Sequence, residues 1–169
     1  MIRFKSATTK DIDLIRSLAN EAFRAAYNSI LSPQQIEYMM DMMYSHSSLL
    51  DQLEDDNCSF YFVFDNNRVC GYFSIVKIEA DNYLLDKLYL LDTAQGKGIG
   101  KASVDFIKEQ VLKCSKSKIT KLHLHVNRKN KAIGFCKSQG FEIILSDQFD
   151  IGNGFVMDDH IMQVIIKRV

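Results

Sequence analysis

The sequence predicts an α/β fold: a single domain over residues 1–169, with a central mixed, mostly antiparallel sheet and helices on both faces. Three observations predict it. Runs rich in β-branched and aromatic residues recur along the chain, several with period-two alternation. Between them lie stretches whose apolar residues return at helical spacing. Strands joined by a tight turn must pair antiparallel, whereas a strand-helix-strand unit favours parallel pairing, so the sheet is mixed.

The elements follow in order. Ile2-Arg3-Phe4 reads as a first strand, and Thr8 with Asp11 three residues later is a capping-box variant. Ile12, Ile15, Leu18, Ala22 and Phe23 then make one apolar helix face. Ser32-Pro33-Gln34-Gln35 starts a second helix, with Ser as cap and Pro at the first position, followed by Ile36, Met39, Met40 and Met43. Ser47 or Ser48 caps a short third helix, whose end carries Asp51, Glu54, Asp55 and Asp56. That acidic group is either a solvated face or an attractor for a cationic substrate.

Ser59–Phe64 and Val69–Ile78 form a hairpin around Asn66-Asn67, with Gly71 at a bulge or a close approach. Leu84–Leu91 is the next strand. The apolar pattern from Ala102 predicts the longest helix, running to about Lys113 with Val104, Phe106, Ile107 and Val111 inward. Leu122, Leu124 and Val126 alternate with His123 and His125, which read as sheet residues because two histidines alone do not make a metal site. A helix through Ala132, Ile133, Phe135 and Cys136 stops at Gly140, Phe141–Leu145 is a strand, Gly152-Asn153-Gly154 breaks the chain, and Ile161–Val169 is the last strand.

The totals narrow the partners. Lys plus Arg number 21 and Asp plus Glu number 21, which argues against nucleic acid as the main partner. No apolar run is long enough to span a membrane and the charged first residues form no export signal, so a cytoplasmic location is expected. Cys58, Cys70, Cys114 and Cys136 lack metal spacing and read as reduced thiols. An exposed last strand could pair with a second copy to give a homodimer.

Between the predicted strand and the longest helix lies Gln95-Gly96-Lys97-Gly98-Ile99-Gly100-Lys101. Glycines let the backbone approach a ligand, the unpaired N–H groups of a first helical turn point at it, and Lys97 and Lys101 add positive charge. The ligand expected here is a phosphate or pyrophosphate. The loop fails the P-loop pattern, because Gln95 stands at its first glycine and Ala102 at its Ser/Thr. It also fails the dinucleotide fingerprint, because Lys101 stands at the third glycine. The spacing that fits is Gln-x-x-Gly-x-Gly. Downstream, Asn130-Lys131-Ala132-Ile133-Gly134-Phe135-Cys136-Lys137-Ser138-Gln139-Gly140-Phe141 resembles an Asn-x-x-Ala-x-x-x-Tyr-x-x-x-Gly-Phe pattern. Together, and in this order, the two stretches resemble the GCN5-related N-acetyltransferase (GNAT) superfamily over the whole chain. Ile30–Gln35 and the tail Gly154–Asp159 are further similar to a bacterial spermidine/spermine acetyltransferase-like branch.

The resemblance implies acetyl-CoA as co-substrate and a small amine as acceptor. It places the pantetheine along the backbone of Leu88, Tyr89 and Leu90, and the pyrophosphate on Gln95, Gly96, Lys97, Gly98, Ile99, Gly100 and Lys101. Lys137 is a further coenzyme contact, as is either Asn127 or, preferred, Asn130, which precedes Ala132 by two residues where the pattern has three. Asp86 is the implied base, or else a surface ion-pair partner of Lys87. Cys136 stands where the superfamily has the tyrosine that protonates the departing thiolate; it takes that role or is a core cysteine, with Tyr27, Tyr38 or Tyr89 as other donors. Two other functions stay open: a non-catalytic coenzyme-binding regulatory module, and acetylation of protein amino groups. Specificity is expected to reside in 25–56 and 146–160.

Overall fold

The computed structural model describes residues 1–169. Seven strands form one mixed sheet in the order β1-β2-β3-β4-β5-β7-β6. They are β1 Ile2–Ser6, β2 Cys58–Asp65, β3 Arg68–Glu79, β4 Asn82–Leu90, β5 Ile119–Asn127, β6 Glu142–Gly152 and β7 Phe155–Lys167. Five helices accompany them: α1 Ile12–Tyr27, α2 Pro33–Tyr44, α3 His46–Glu54, α4 Ile99–Cys114 and α5 Ala132–Ser138. The fold class is the one expected. The chain groups into two compact units, Met1–Val76 with Asp86–Ser103, and Lys77–Leu85 with Val104–Val169.

In the first unit β1 and β3 each pair antiparallel with β2, with a bulge at Val63/Phe64. The hairpin turn places Asn66 at φ 54°, as its position between two aromatic runs predicts. The capping box at Thr8 and Asp11 is present, although it heads a single 3-10 turn before α1. Ser32 accepts a bond from the Gln35 backbone N–H at 3.1 Å and starts α2 as expected. The third helix begins earlier than expected and its cap is Ser45, which accepts the Ser48 N–H at 3.3 Å. Ile36 and Met39 are core residues, while Asp51, Glu54, Asp55 and Asp56 are exposed, which favours the solvated-face reading.

An aromatic cluster fills this unit. Tyr44 and Tyr72 share a 2.7 Å hydroxyl–hydroxyl bond. Their rings, with those of Phe23, Tyr27 and Tyr89, pack at centroid distances of 4.8–6.5 Å.

In the second unit β4 and β5 run parallel, in register only from Asn82–Leu84 against Lys121–His123. Val104, Ile107 and Val111 of α4 are buried. Lys108 of α4 donates to the Gln139 carbonyl at 2.7 Å and lies over the Phe141 ring, so α4 and the end of α5 share one face of the sheet. α4 connects β4 to β5, and α5 connects β5 to β6. Gly140 takes φ 90°, the left-handed position that ends α5.

The C-terminal region differs from expectation. Residues 146–160 belong to a long hairpin, β6 and β7, turning at Gly152-Asn153-Gly154. β7 lies between β5 and β6, so the last strand is internal and the sheet edges are β1 and β6. The pairing of an exposed last strand with a second copy therefore has no basis. The sequence obscures this because an internal strand and an edge strand carry similar β-branched runs, and only the register decides.

Candidate active site

In the first unit the glycine stretch sits where the sequence places it, between β4 and α4. A 3-10 turn, Asp92–Ala94, leads from Leu91 into it. Gly96 and Gly98 both lie in left-handed backbone, at φ 73° and 75°. A Cβ at either would touch nothing within 4 Å, so the loop presents a bare, open backbone concavity. α4 begins at Ile99, three residues before the apolar pattern does, because the loop itself closes the first turn: the Ala102 N–H donates to Gly98 O at 3.0 Å. Gly100 and Lys101 therefore lie within the helix. The first turn of this helix, the two left-handed glycines, and the exposed Lys97 and Lys101 bring unpaired backbone N–H groups and positive charge together on one loop. Gln95 is tied to Asp92 by a 3.3 Å side-chain bond. A depression beside the loop is lined by Arg68, Cys70, Thr93 and Lys97 among others.

The preceding strand is fixed by a close backbone contact. A Cβ on Gly71 of β3 would lie 2.5 Å from both the Tyr89 carbonyl oxygen and Leu90 Cδ2, so glycine is the residue that lets β3 approach β4 here. The Tyr89 ring packs in the aromatic cluster, and any coenzyme contact from this residue is a backbone one. Leu88 and Leu90 are half-buried. Burial foremost, and the neighbouring tyrosine hydroxyls next, hold the hydroxyls of Tyr44 and Tyr89 protonated far above the usual tyrosine range; burial raises Tyr72 as well.

Asp86 is ion-paired to Lys87 through Oδ2. Lys87 is 5% exposed, donates to Gln52 Oε1 at 2.8 Å, and lies over the rings of Tyr44 and Phe60. Of the two sequence readings of Asp86, the ion pair with Lys87 is present, and the carboxylate lies on β4 partly in solvent.

In the second unit Asn130, Cys136 and Lys137 gather around α5. Asn130 Oδ1 accepts the Ala132 N–H at 2.8 Å, which starts the helix and leaves its amide nitrogen as a donor. Asn127 is buried, and its Oδ1 accepts the Lys129 N–H at 2.9 Å. Asn130 is thus the more accessible of the two. Lys137 is exposed. Cys136 is 8% exposed, and burial pushes its thiol up to about 11. It is thus a buried cysteine held as a thiol.

One buried acid escaped the sequence reading. Asp159 of β7 is 5% exposed and its Oδ1 has no hydrogen-bond partner. Burial foremost, and the charge of Asp158, raise its carboxyl to about 6. The available signal was a carboxylate at an inward position of a strand, legible only once β7 was known to begin at Phe155.

A glycine-rich turn at a helix start thus follows a parallel-paired strand on this sheet order. The acetyltransferase (GNAT) family model matches residues 14–141, and the chain belongs to that family. It is an N-acetyltransferase by that membership, with acetyl-CoA as co-substrate. Spermidine N(1)-acetyltransferase of Thermoplasma acidophilum is 26% identical over 162 residues, covering 93% of this chain and 96% of that protein. A crystal structure of PaiA N-acetyltransferase from the same organism, in complex with coenzyme A, superposes with a TM-score of 0.78 at 24% identity, covering 96% of this chain and 98% of that one. Ribosomal-protein-S18-alanine N-acetyltransferase of Escherichia coli has a TM-score of 0.73 at 16% identity, covering 100% and 96%. No helix of the chain is long and apolar enough to cross a membrane.

Proposed function

We propose that this chain transfers the acetyl group of acetyl-CoA to the primary amine of a small cation such as a polyamine. The observation that carries the transfer reaction is the open cradle of Gly96 and Gly98 at the head of α4, which fits a pyrophosphate. The acceptor class is supported by the spermidine N(1)-acetyltransferase relative.

Acetyl-CoA supplies an activated thioester carbonyl. The amides of Gly96 to Lys101, with Gln95 and the lysine charges, hold the pyrophosphate, and backbone groups of Leu88, Tyr89 and Leu90 orient the pantetheine. Asn130 and Lys137 make further coenzyme contacts. An ammonium has no lone pair to attack with, so a base must take its proton, and Asp86 accepts it directly or through water. Cys136 stands at the position of the proton donor to the departing thiolate, but its burial suits packing better than that role. With burial raising it to about 11, it is a weaker acid than an ordinary tyrosine at about 10. The chain's own contribution is thus mainly binding, orientation and removal of the amine proton.

The test is mass-spectrometric product detection after incubation with acetyl-CoA and a panel of polyamines, amino acids, aminoglycosides and short peptides. Acetylated polyamine is the expected product. Acetylation of peptides alone would replace the acceptor with a protein amino group. No product from any amine, with coenzyme bound, would favour a regulatory module.

A further inference from the structure

The second unit carries a buried acid whose Oδ1 accepts no hydrogen bond. β5, β7 and β6 form a three-strand row in which Asn127, Asp159 and Asp147 are register partners, so their side chains emerge on one face. Phe149 pairs with Met157 on that face, one step along from Asp159. His125 pairs with Ile161 one step the other way. The rings of Phe149 and His125 approach to 5.3 Å although their strands lie on opposite sides of β7, so they reach toward one another across that strand beside Asp159. α4 and the end of α5 lie on the other face of this part of the sheet, where Thr120, Leu122 and Leu124 are buried.

The two adjacent acids of β7 fare differently. Asp158 lies on the opposite face; its Oδ1, like that of Asp159, accepts no hydrogen bond, but the Arg128 guanidinium stands 2.6 Å away as a counter-charge. Asp159 Oδ1 has no partner and is enclosed. An isolated buried carboxylate is costly unless it gains a proton or a cation. A carboxylate near a phenyl ring, with a second acid in register on an exposed strand, is the surrounding that an alkylammonium group fits.

We propose that Asp159, with Asp147 and the Phe149 ring, is a binding site for an ammonium group of the acceptor. This rests on the cationic-amine reading above and makes it specific. Asp159 would accept a charge-assisted hydrogen bond from the ammonium. Asp147 would add long-range attraction, and the Phe149 face would cover the carbon chain next to the charge. The role is recognition: no bond to substrate forms or breaks at Asp159.

The test is calorimetric titration of spermidine into the full chain saturated with coenzyme A, for the wild type, D159N, F149L and E109Q. Glu109 is an exposed residue of α4 and serves as a charge control. Wild type and E109Q bind with equal affinity. D159N binds about tenfold or more weakly, the loss expected for one charge-assisted bond, with unchanged affinity for coenzyme A. F149L weakens binding about threefold and keeps the carboxylate, so it reports the site should D159N fold poorly. Equal spermidine affinity in D159N and wild type would overturn the site, as would absence of spermidine binding by the wild type. The two readings fail separately. Product from some other amine without spermidine binding overturns the Asp159 site and leaves acetyl transfer standing. Spermidine binding lost in D159N, with no acetylated product from any amine, keeps the site and removes the transfer reaction.

Discussion

Lys87 Nζ is bonded both to the Asp86 carboxylate and to Gln52 Oε1, so the strand that leads into the glycine loop is pinned to α3 by a buried ammonium. The two partners are unequal: the Lys87 side chain is 4% exposed and that of Asp86 36%. Removing the carboxylate strands a charge in the interior, whereas removing the lysine lets Asp86 hydrate. D86N should therefore destabilise the protein by about 3 kcal/mol and K87M by about 1 kcal/mol. Urea unfolding of both variants measures the difference, and the reverse order would show that Asp86 is the buried member. If Asp86 also takes the amine proton, D86N lowers kcat by more than about a hundredfold, within the range for a lost general base.

Cys136 offers a sharper kinetic test. Its thiol is enclosed and lifted to about 11, which suits packing better than proton donation. C136A should keep kcat within about threefold and lose about 1–2 kcal/mol of stability through the small cavity it leaves. Steady-state rates and urea midpoints check both. A tenfold loss in kcat without loss of coenzyme binding would make the thiol the donor after all.

Two glycines near the coenzyme strand should fail in different ways. G98A meets no neighbour, so its cost is the left-handed backbone alone, about 1 kcal/mol, with weaker coenzyme binding because the new Cβ enters the cradle. G71A drives a Cβ into the Tyr89 carbonyl and should cost about 2–3 kcal/mol while displacing Leu88–Leu90. Thermal unfolding and coenzyme A titration separate the two. Equal stability losses would mean that β3 and β4 can part easily.

Asp159 predicts a pH signature. Its carboxyl rises from the ordinary 3.8 to about 6, so between those values the folded chain keeps a proton that the unfolded chain releases. Stability from this group is present below about pH 4, falls as pH rises toward 6, and stays at the lower level above it. D159N abolishes the dependence and should stabilise the protein near pH 8 by up to about 3 kcal/mol, and by nothing near pH 4. Urea unfolding at the two pH values reads it. An equal effect at both would assign the difference to packing.

The strand-loop-helix core of the site was legible because local chemistry writes it. Gly96 and Gly98 are needed for backbone angles, Ser32-Pro33 for a helix start and Asn66 for a turn, and each acts within a few residues. Gly71 was legible as a close approach, although its partner Tyr89 was not. What the chain does not spell out locally was lost. The insertion of β7 between β5 and β6 depends on pairing across some forty residues, and the enclosure of Asp159 depends on that insertion. The Lys87–Asp86 pair was foreseen as a surface contact. Its depth comes from α2 and α3, through Tyr44 and Gln52, which adjacent residues in the sequence do not announce.

The distribution of aromatic residues makes the two compact units separately visible to light. The chain has no tryptophan, and its tyrosines divide unevenly: Tyr27, Tyr38, Tyr44, Tyr61, Tyr72 and Tyr89 fall in the first unit and only Tyr83 in the second. Intrinsic tyrosine emission is thus almost a private signal of the first unit. The imidazole proton resonances of His123, His125 and His160 belong to the second. Following both during one melt distinguishes a single cooperative transition from two, without any label attached to the protein.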